Sequence, residues 1–254
     1  MLTTHGRTMS TTSTTSPLAE CVRPFLRNNT FLGSLPDIAL DALIRKGHVK
    51  KYPKSTVICR RDEDGGSLMV ILAGRVKITN FTADGKEVVL NFLGPGDLNG
   101  EIAVLDGKQR AANAIALENC EAFVVYARDL IPIISAHPQA MLEIIQALCE
   151  KLRAASAIIE DNTLEMRARA AKGLLRLAQQ LGRTHKNGIR LDLTVSQSEL
   201  GNYLGLSRAN VSRQLGQLKD TNVIEIRDAQ IFIVDEKGLS EIADTTLSKR
   251  TVPL

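Results

Sequence analysis

The sequence predicts an α+β protein: an N-terminal β-roll of jelly-roll type, one long helix, then a small α-rich domain carrying a winged two-helix unit. Three observations predict it. Residues 49–125 break into short apolar runs separated by Gly, Asp and Pro. Residues 138–162 carry an unbroken helical apolar seam. The stretch from Gln197 to Lys219 holds two short helical patterns joined at Gly205-Leu206.

The chain has 254 residues, enough for two domains, and its 44% apolar and 24% charged composition is that of an ordinary folded protein. Residues 1–16, MLTTHGRTMSTTSTTS, are rich in Thr and Ser and have no apolar block, so the expectation is a disordered leader and not a signal peptide. No run of 18 apolar residues follows, which predicts no membrane span and a cytoplasmic location. Cys21, Cys59, Cys120 and Cys149 are scattered, form no C-x-x-C pair, and are expected to be reduced and structural. His5, His48, His137 and His185 have no metal-ligand spacing, so no metal is expected. No nucleophile–base spacing points to an enzyme.

The expected domains are 17–137 for the roll, 138–163 for the long helix and 164–254 for the C-terminal unit. Residues 35–46 (LPDIALDALIRK) predict a short helix packed on the roll. The runs STVICR, SLMVILAG, RVKITNF, EVVLNFLG, AIAL and EAFVVY predict strands, and DEDGG, TADGK and GPGD the turns between them. A hairpin around Ala83–Gly85 is the clearest local signal.

Met141, Ile145, Leu148, Leu152, Ala155 and Ile159 are spaced alternately four and three residues apart. Such a seam predicts pairing with a second copy, hence a homodimer; the same helix also has apolar residues for packing on its own roll. Beyond it, residues 166–182 predict a helix capped by Gly182, GIRLDLTV a short strand, and 197–204 and 208–219 two short helices. Val223–Ile226 and Gln230–Val234 predict a two-stranded wing, and 237–244 a terminal helix.

The segment QSELGNYLGLSRANVSRQLGQLKD reads as a helix-turn-helix. Leu200, Leu204, Leu206, Val211 and Leu215 supply its apolar contacts, and Ser207 caps the second helix. Ser207, Arg208, Asn210, Ser212 and Arg213 then stand at the start of that helix or one turn later, where a helix enters the major groove of double-stranded DNA. Arginine can donate two hydrogen bonds to guanine, whereas Ser and Asn suit phosphates or adenine. Gln197 and Ser198 on the first helix and Arg227 on the wing are placed for phosphates. Residues 164–254 hold fourteen Lys/Arg against ten Asp/Glu, an excess confined to this half of the chain.

With ILAGRVKI (Ile71–Ile78), DGKEVVLNFLGPGD (Asp84–Asp97), NGEIAVLDGKQRAA (Asn99–Ala112), MRARAAKGLLRL (Met166–Leu177) and LSRANVSRQL (Leu206–Leu215) in this order, the chain resembles the cyclic-AMP receptor protein/fumarate–nitrate regulator family of bacterial transcription factors. The resemblance implies a cyclic-nucleotide effector, cAMP or cGMP. It places Arg110 on the cyclic phosphate, Glu101 on the ribose 2′-hydroxyl, and the amides around Gly100, Ile102 and Ala111 in the cradle. It also implies RNA polymerase as a partner. An ion pair between Glu101 and Arg110 that merely closes the loop is the alternative role for these two side chains. In the cyclic-AMP-responsive members two adjacent hydroxyl residues of the long helix contact the base; here Ala154-Ala155-Ser156 leaves only Ser156. Asn99 stands where an apolar residue is common, and Ala209 replaces a glutamate often found beside the base-reading arginine. Only Cys21 matches the N-terminal cysteine cluster of the iron–sulfur branch. The alternative left open is a ligand-independent architectural DNA-binding dimer with the roll as scaffold.

Overall fold

The computed structural model describes residues 17–191, 196–228 and 230–245. The leader 1–16 lies outside the described residues, as do 192–195 of the predicted GIRLDLTV strand. The N-terminal half opens with α1 (Pro17–Arg27) and α2 (Asp37–Lys46). There follow β1 (His48–Tyr52), β2 (Val57–Cys59), β3 (Ser67–Ala73), β4 (Val76–Phe81), β5 (Glu87–Leu93), β6 (Leu98–Asn99), β7 (Asn113–Ala116) and β8 (Cys120–Tyr126), with α3 (Glu101–Asp106) between β6 and β7. The strands form two antiparallel four-stranded sheets, ordered β1-β8-β3-β6 and β2-β7-β4-β5. Side chains alternate across a strand, and Tyr52, Met69, Ile71, Val76 and Ala122 from both sheets make one buried cluster. The predicted hairpin is the β4–β5 turn, where Gly85 has φ +80° and its N–H donates to the Thr82 carbonyl at 2.9 Å.

No helix is predicted over residues 17–27, yet α1 forms there. Val22 and Leu26 share one face and are fully buried, while Arg23 and Arg27 pair with Asp37 and Asp41 of α2. Of the thiols, Cys59 and Cys120 are buried and burial pushes the Cys120 thiol up, which keeps it protonated and unreactive; Cys21 and Cys149 are exposed.

After α4 (Ala127–Ser135), α5 (Pro138–Asp161) runs for 24 residues. Ala140 and Ile144 bury it against the roll, and Leu148 is half-buried against the same core. Leu148 is therefore a packing residue of its own chain. The rest of the seam is open, with Met141 38%, Ile145 52%, Leu152 69% and Ile159 70% exposed. At the far end Asp161 is buried, accepting from Arg176 and facing Lys172 Nζ at 3.3 Å, both on the next helix. A buried carboxylate needs such partners to remain charged.

The C-terminal half holds α6 (Met166–Leu181), β9 (Gly182–His185), β10 (Gly188–Leu191), α7 (Gln197–Leu204), α8 (Arg208–Asp220), β11 (Ile224–Arg227), β12 (Gln230–Ile233) and α9 (Glu236–Ala243). Gly182 is the C-cap of α6, its N–H donating to the Ala178 carbonyl, in an extended conformation (φ −73°, ψ 143°) that opens β9. The predicted wing pair forms as β11 and β12, but it is not confined to two strands: it extends through β10 to β9 in a four-stranded sheet. Once α6 ends in extended backbone, residues 182–191 fold back as a hairpin and β10 pairs with the otherwise open edge of β12.

The halves meet along β5. Val89 and Phe92 enter the C-terminal core, and Phe92 packs on Tyr203 with ring centroids 5.4 Å apart. Buried Lys77 faces Glu87 at 2.9 Å and Glu199 of α7 at 3.3 Å, and Asn202 donates to Glu87 at 3.2 Å.

Candidate effector pocket and nucleic-acid interface

The strongest anionic-ligand signal is Arg110. It is 5% exposed, and of its guanidinium only Nη2 is satisfied, donating to Ser67 Oγ at 2.9 Å; Nε and Nη1 are buried without an acceptor. A buried donor left unpaired costs about 1–3 kcal/mol, so a site that keeps two of them is built for a partner that completes it. Gly100 permits the arrangement. Its φ is +98°, and a Cβ there would lie 1.8 Å from Arg110 Nη1 and 2.6 Å from the Ser67 carbonyl.

Arg110 opens into a cavity of about 170 Å³ lined also by Gly100, Glu101, Ile102, Ala111 and Ala112. Five of the predicted effector residues are thus brought together. Ser156 is not: it is exposed on α5 and its hydroxyl donates to the Leu152 carbonyl at 3.1 Å, away from the cavity of its own chain. The alternative ion pair between Glu101 and Arg110 does not form. Buried Glu101 accepts instead from Lys151 of α5 at 2.5 Å, and Arg110 turns to Ser67. Lys151 and Ser67 were missed because neither stands near the Gly-Glu or Arg-Ala-Ala segments in sequence. Lys151 brings a second cation to the cavity wall and ties the Glu101 carboxylate to the long helix.

On the C-terminal half, α7 starts with a capping box. The Glu199 amide donates to Ser196 Oγ at 3.1 Å, and the Ser196 amide to Glu199 Oε2 at 3.0 Å. Burial works to raise the Glu199 carboxyl, but the Ser196 donors and Lys77 outweigh it and hold the group below the usual carboxylate range. The turn closes through Gly205 at φ +65°, and at Gly201 a Cβ would meet the Leu206 carbonyl at 2.6 Å. All five predicted scaffold residues, Leu200, Leu204, Leu206, Val211 and Leu215, are buried in one cluster.

Ser207 caps α8 by accepting from the Asn210 amide at 3.2 Å. Ser207, Arg208, Ser212 and Arg213 are exposed, and half-buried Asn210 accepts from Arg213 Nη2 at 2.6 Å, which orients that guanidinium. Gln197 and Ser198 are exposed in the first turn of α7. Arg227 is paired with Glu225 and lies over the Phe232 ring at 5.6 Å, held to the wing surface. Among the described residues no group of three or more His, Cys, Asp or Glu is placed to hold a metal, and no helix is long and apolar enough to cross a membrane.

Comparison with known proteins agrees with this geometry. Residues 49–137 match the cyclic nucleotide-binding domain family and residues 168–242 the Crp-like helix-turn-helix domain family. The chain is 27% identical over 218 residues to the CRP-like cAMP-activated global transcriptional regulator of Mycobacterium tuberculosis, covering 85% of this chain and 97% of that protein. It is 28% identical over 200 residues to the cAMP-activated global transcriptional regulator CRP of Haemophilus influenzae, covering 78% and 88%. Among solved structures, FixK2 from Bradyrhizobium japonicum shares the fold, with a TM-score of 0.70 and 22% identity over 77% of this chain and 96% of that one. With both domain families matched in order and relatives aligned along most of its length, the chain belongs to the cyclic-AMP receptor protein/fumarate–nitrate regulator family of DNA-binding transcription regulators, which are not enzymes.

Proposed function

We propose that this regulator is a homodimer whose DNA binding is controlled by a cyclic nucleotide, cAMP or cGMP, seated on Arg110. The observation that carries the reading is the pair of buried, unpartnered N–H groups on Arg110 beside Gly100. A compact anion is the ligand that satisfies them. Glu101, Ile102 and Ala111 form the remaining wall, and the cAMP-activated relatives support the choice of ligand. Gln197, Ser198, Ser207, Arg208, Asn210, Ser212, Arg213 and Arg227 are the DNA-contacting set, and the open α5 seam is the dimer face. RNA polymerase as a further partner, and a cytoplasmic location, rest on the family's role in transcription alone.

Calorimetric titration tests the effector. Wild type is expected to bind cAMP or cGMP, and Arg110→Ala to lose about 2 kcal/mol, roughly thirtyfold in Kd, through loss of a charge-assisted bond. Equal isotherms for the two proteins contradict the seating on Arg110. A wild type that binds neither nucleotide favours the architectural dimer instead.

A further inference from the structure

The cavity at Arg110, about 170 Å³, is small for the nucleotide proposed above, since ligand sites commonly run from about 300 to 1,000 Å³. Its outer wall is shared. Asn91, Leu93, Leu98, Glu101, Ile102 and Lys151 also line a second cavity of about 490 Å³, so the two spaces adjoin across the Glu101–Lys151 pair. The second cavity is closed by the C-terminal half: Arg176 and Gln180 of α6 and Tyr203 of α7 line it together with Ala154 and Ile158 of α5. Its chemistry is that of a base site. Leu90, Leu148 and Ile158 are apolar, whereas Gln180 offers amide hydrogen bonds and Arg176 a planar guanidinium. Arg176 also repeats the feature seen at Arg110, because its Nε is buried with no acceptor although Nη1 holds Asp161. On this side α5 presents Ala154 and Ala155, which carry no polar group, and the Ser156 hydroxyl lies elsewhere.

We propose that the effector bridges the two domains, with its phosphate on Arg110 and its purine base in the larger cavity against Arg176, Gln180 and Tyr203. This rests on the cyclic-nucleotide reading and goes beyond it, because the ligand then touches the DNA-binding domain directly. A ligand that contacts both domains favours whichever relative arrangement gives it both sets of contacts, so occupancy alone biases the placement of α8.

Photolabelling of the full-length dimer with 8-azido-cAMP, followed by peptide mapping, tests the contact. Label is expected on peptides carrying Arg176–Gln180 or Tyr203. In parallel, cAMP affinity is measured for Gln180→Ala, an exposed position that the fold tolerates, and for Ala154→Phe, which fills the cavity from the surface of α5. Each is expected to weaken binding about tenfold or more, equivalent to at least one lost hydrogen bond or an excluded base. Label confined to residues 17–162, or undiminished affinity in both variants, overturns the bridge. If Arg110→Ala still abolishes binding in that case, the effector reading stands without it. A wild type that binds no cyclic nucleotide overturns both.

Discussion

Replacing Leu152 and Ile159 together with lysine is expected to turn the protein into a monomer. These side chains are 69% and 70% exposed, and with Met141 and Ile145 they leave one side of a 24-residue helix apolar and open. Covering each by a second copy contributes about 1.5–3 kcal/mol if burial is complete. Lysine at both positions removes that gain and sets like charges facing each other at the helix pair. Leu148 is avoided because it packs on the roll, where a charge would damage the fold itself. Sedimentation should show the double variant as a monomer at micromolar concentration, with affinity for a two-half-site operator reduced by about a hundredfold or more as the half-sites lose their linkage. An intact double-variant dimer contradicts the seam.

Arg208→Ala is expected to change which DNA sequence is selected and not merely how tightly DNA is held. Arg208 is the first residue of α8, exposed, and paired with no described residue, so its guanidinium is free to meet a base edge. Loss of a bidentate contact costs about 1–3 kcal/mol and relaxes one symmetric position in each half-site. Lys219, exposed near the other end of α8, provides the contrast: its replacement should weaken all sequences alike and flatten the salt dependence. Site selection followed by titration at several salt concentrations separates the two. An unchanged motif with uniformly lower affinity makes Arg208 a phosphate clamp.

What could be read in the sequence was what is encoded locally. Gly85 and Gly205 sit where turns need positive φ, and both turns form at those positions. Ser207 caps α8 three residues before its partner amide, and the two helices of the DNA-reading unit fall within a residue of their expected bounds. What escaped was long-range. Arg110 finds Ser67 across 43 residues, Glu101 finds Lys151 across 50, and Lys77 finds Glu199 across 122. None of these pairs has a spacing that a single chain displays. The four-stranded sheet escaped for the same reason, since β9 is polar on its own and becomes a strand by pairing with β10. Ser156, matched by position alone, stands exposed on α5 with its hydroxyl donating to the Leu152 carbonyl.

The most direct test of control by an effector is operator affinity, measured for wild type and Arg110→Ala with and without saturating cAMP, and again with cGMP. One of the nucleotides is expected to change wild-type affinity for a selected palindrome and to have no such effect in the Arg110 variant. Tight, sequence-specific binding that is identical in all of these conditions would contradict it and leave an architectural DNA-binding dimer.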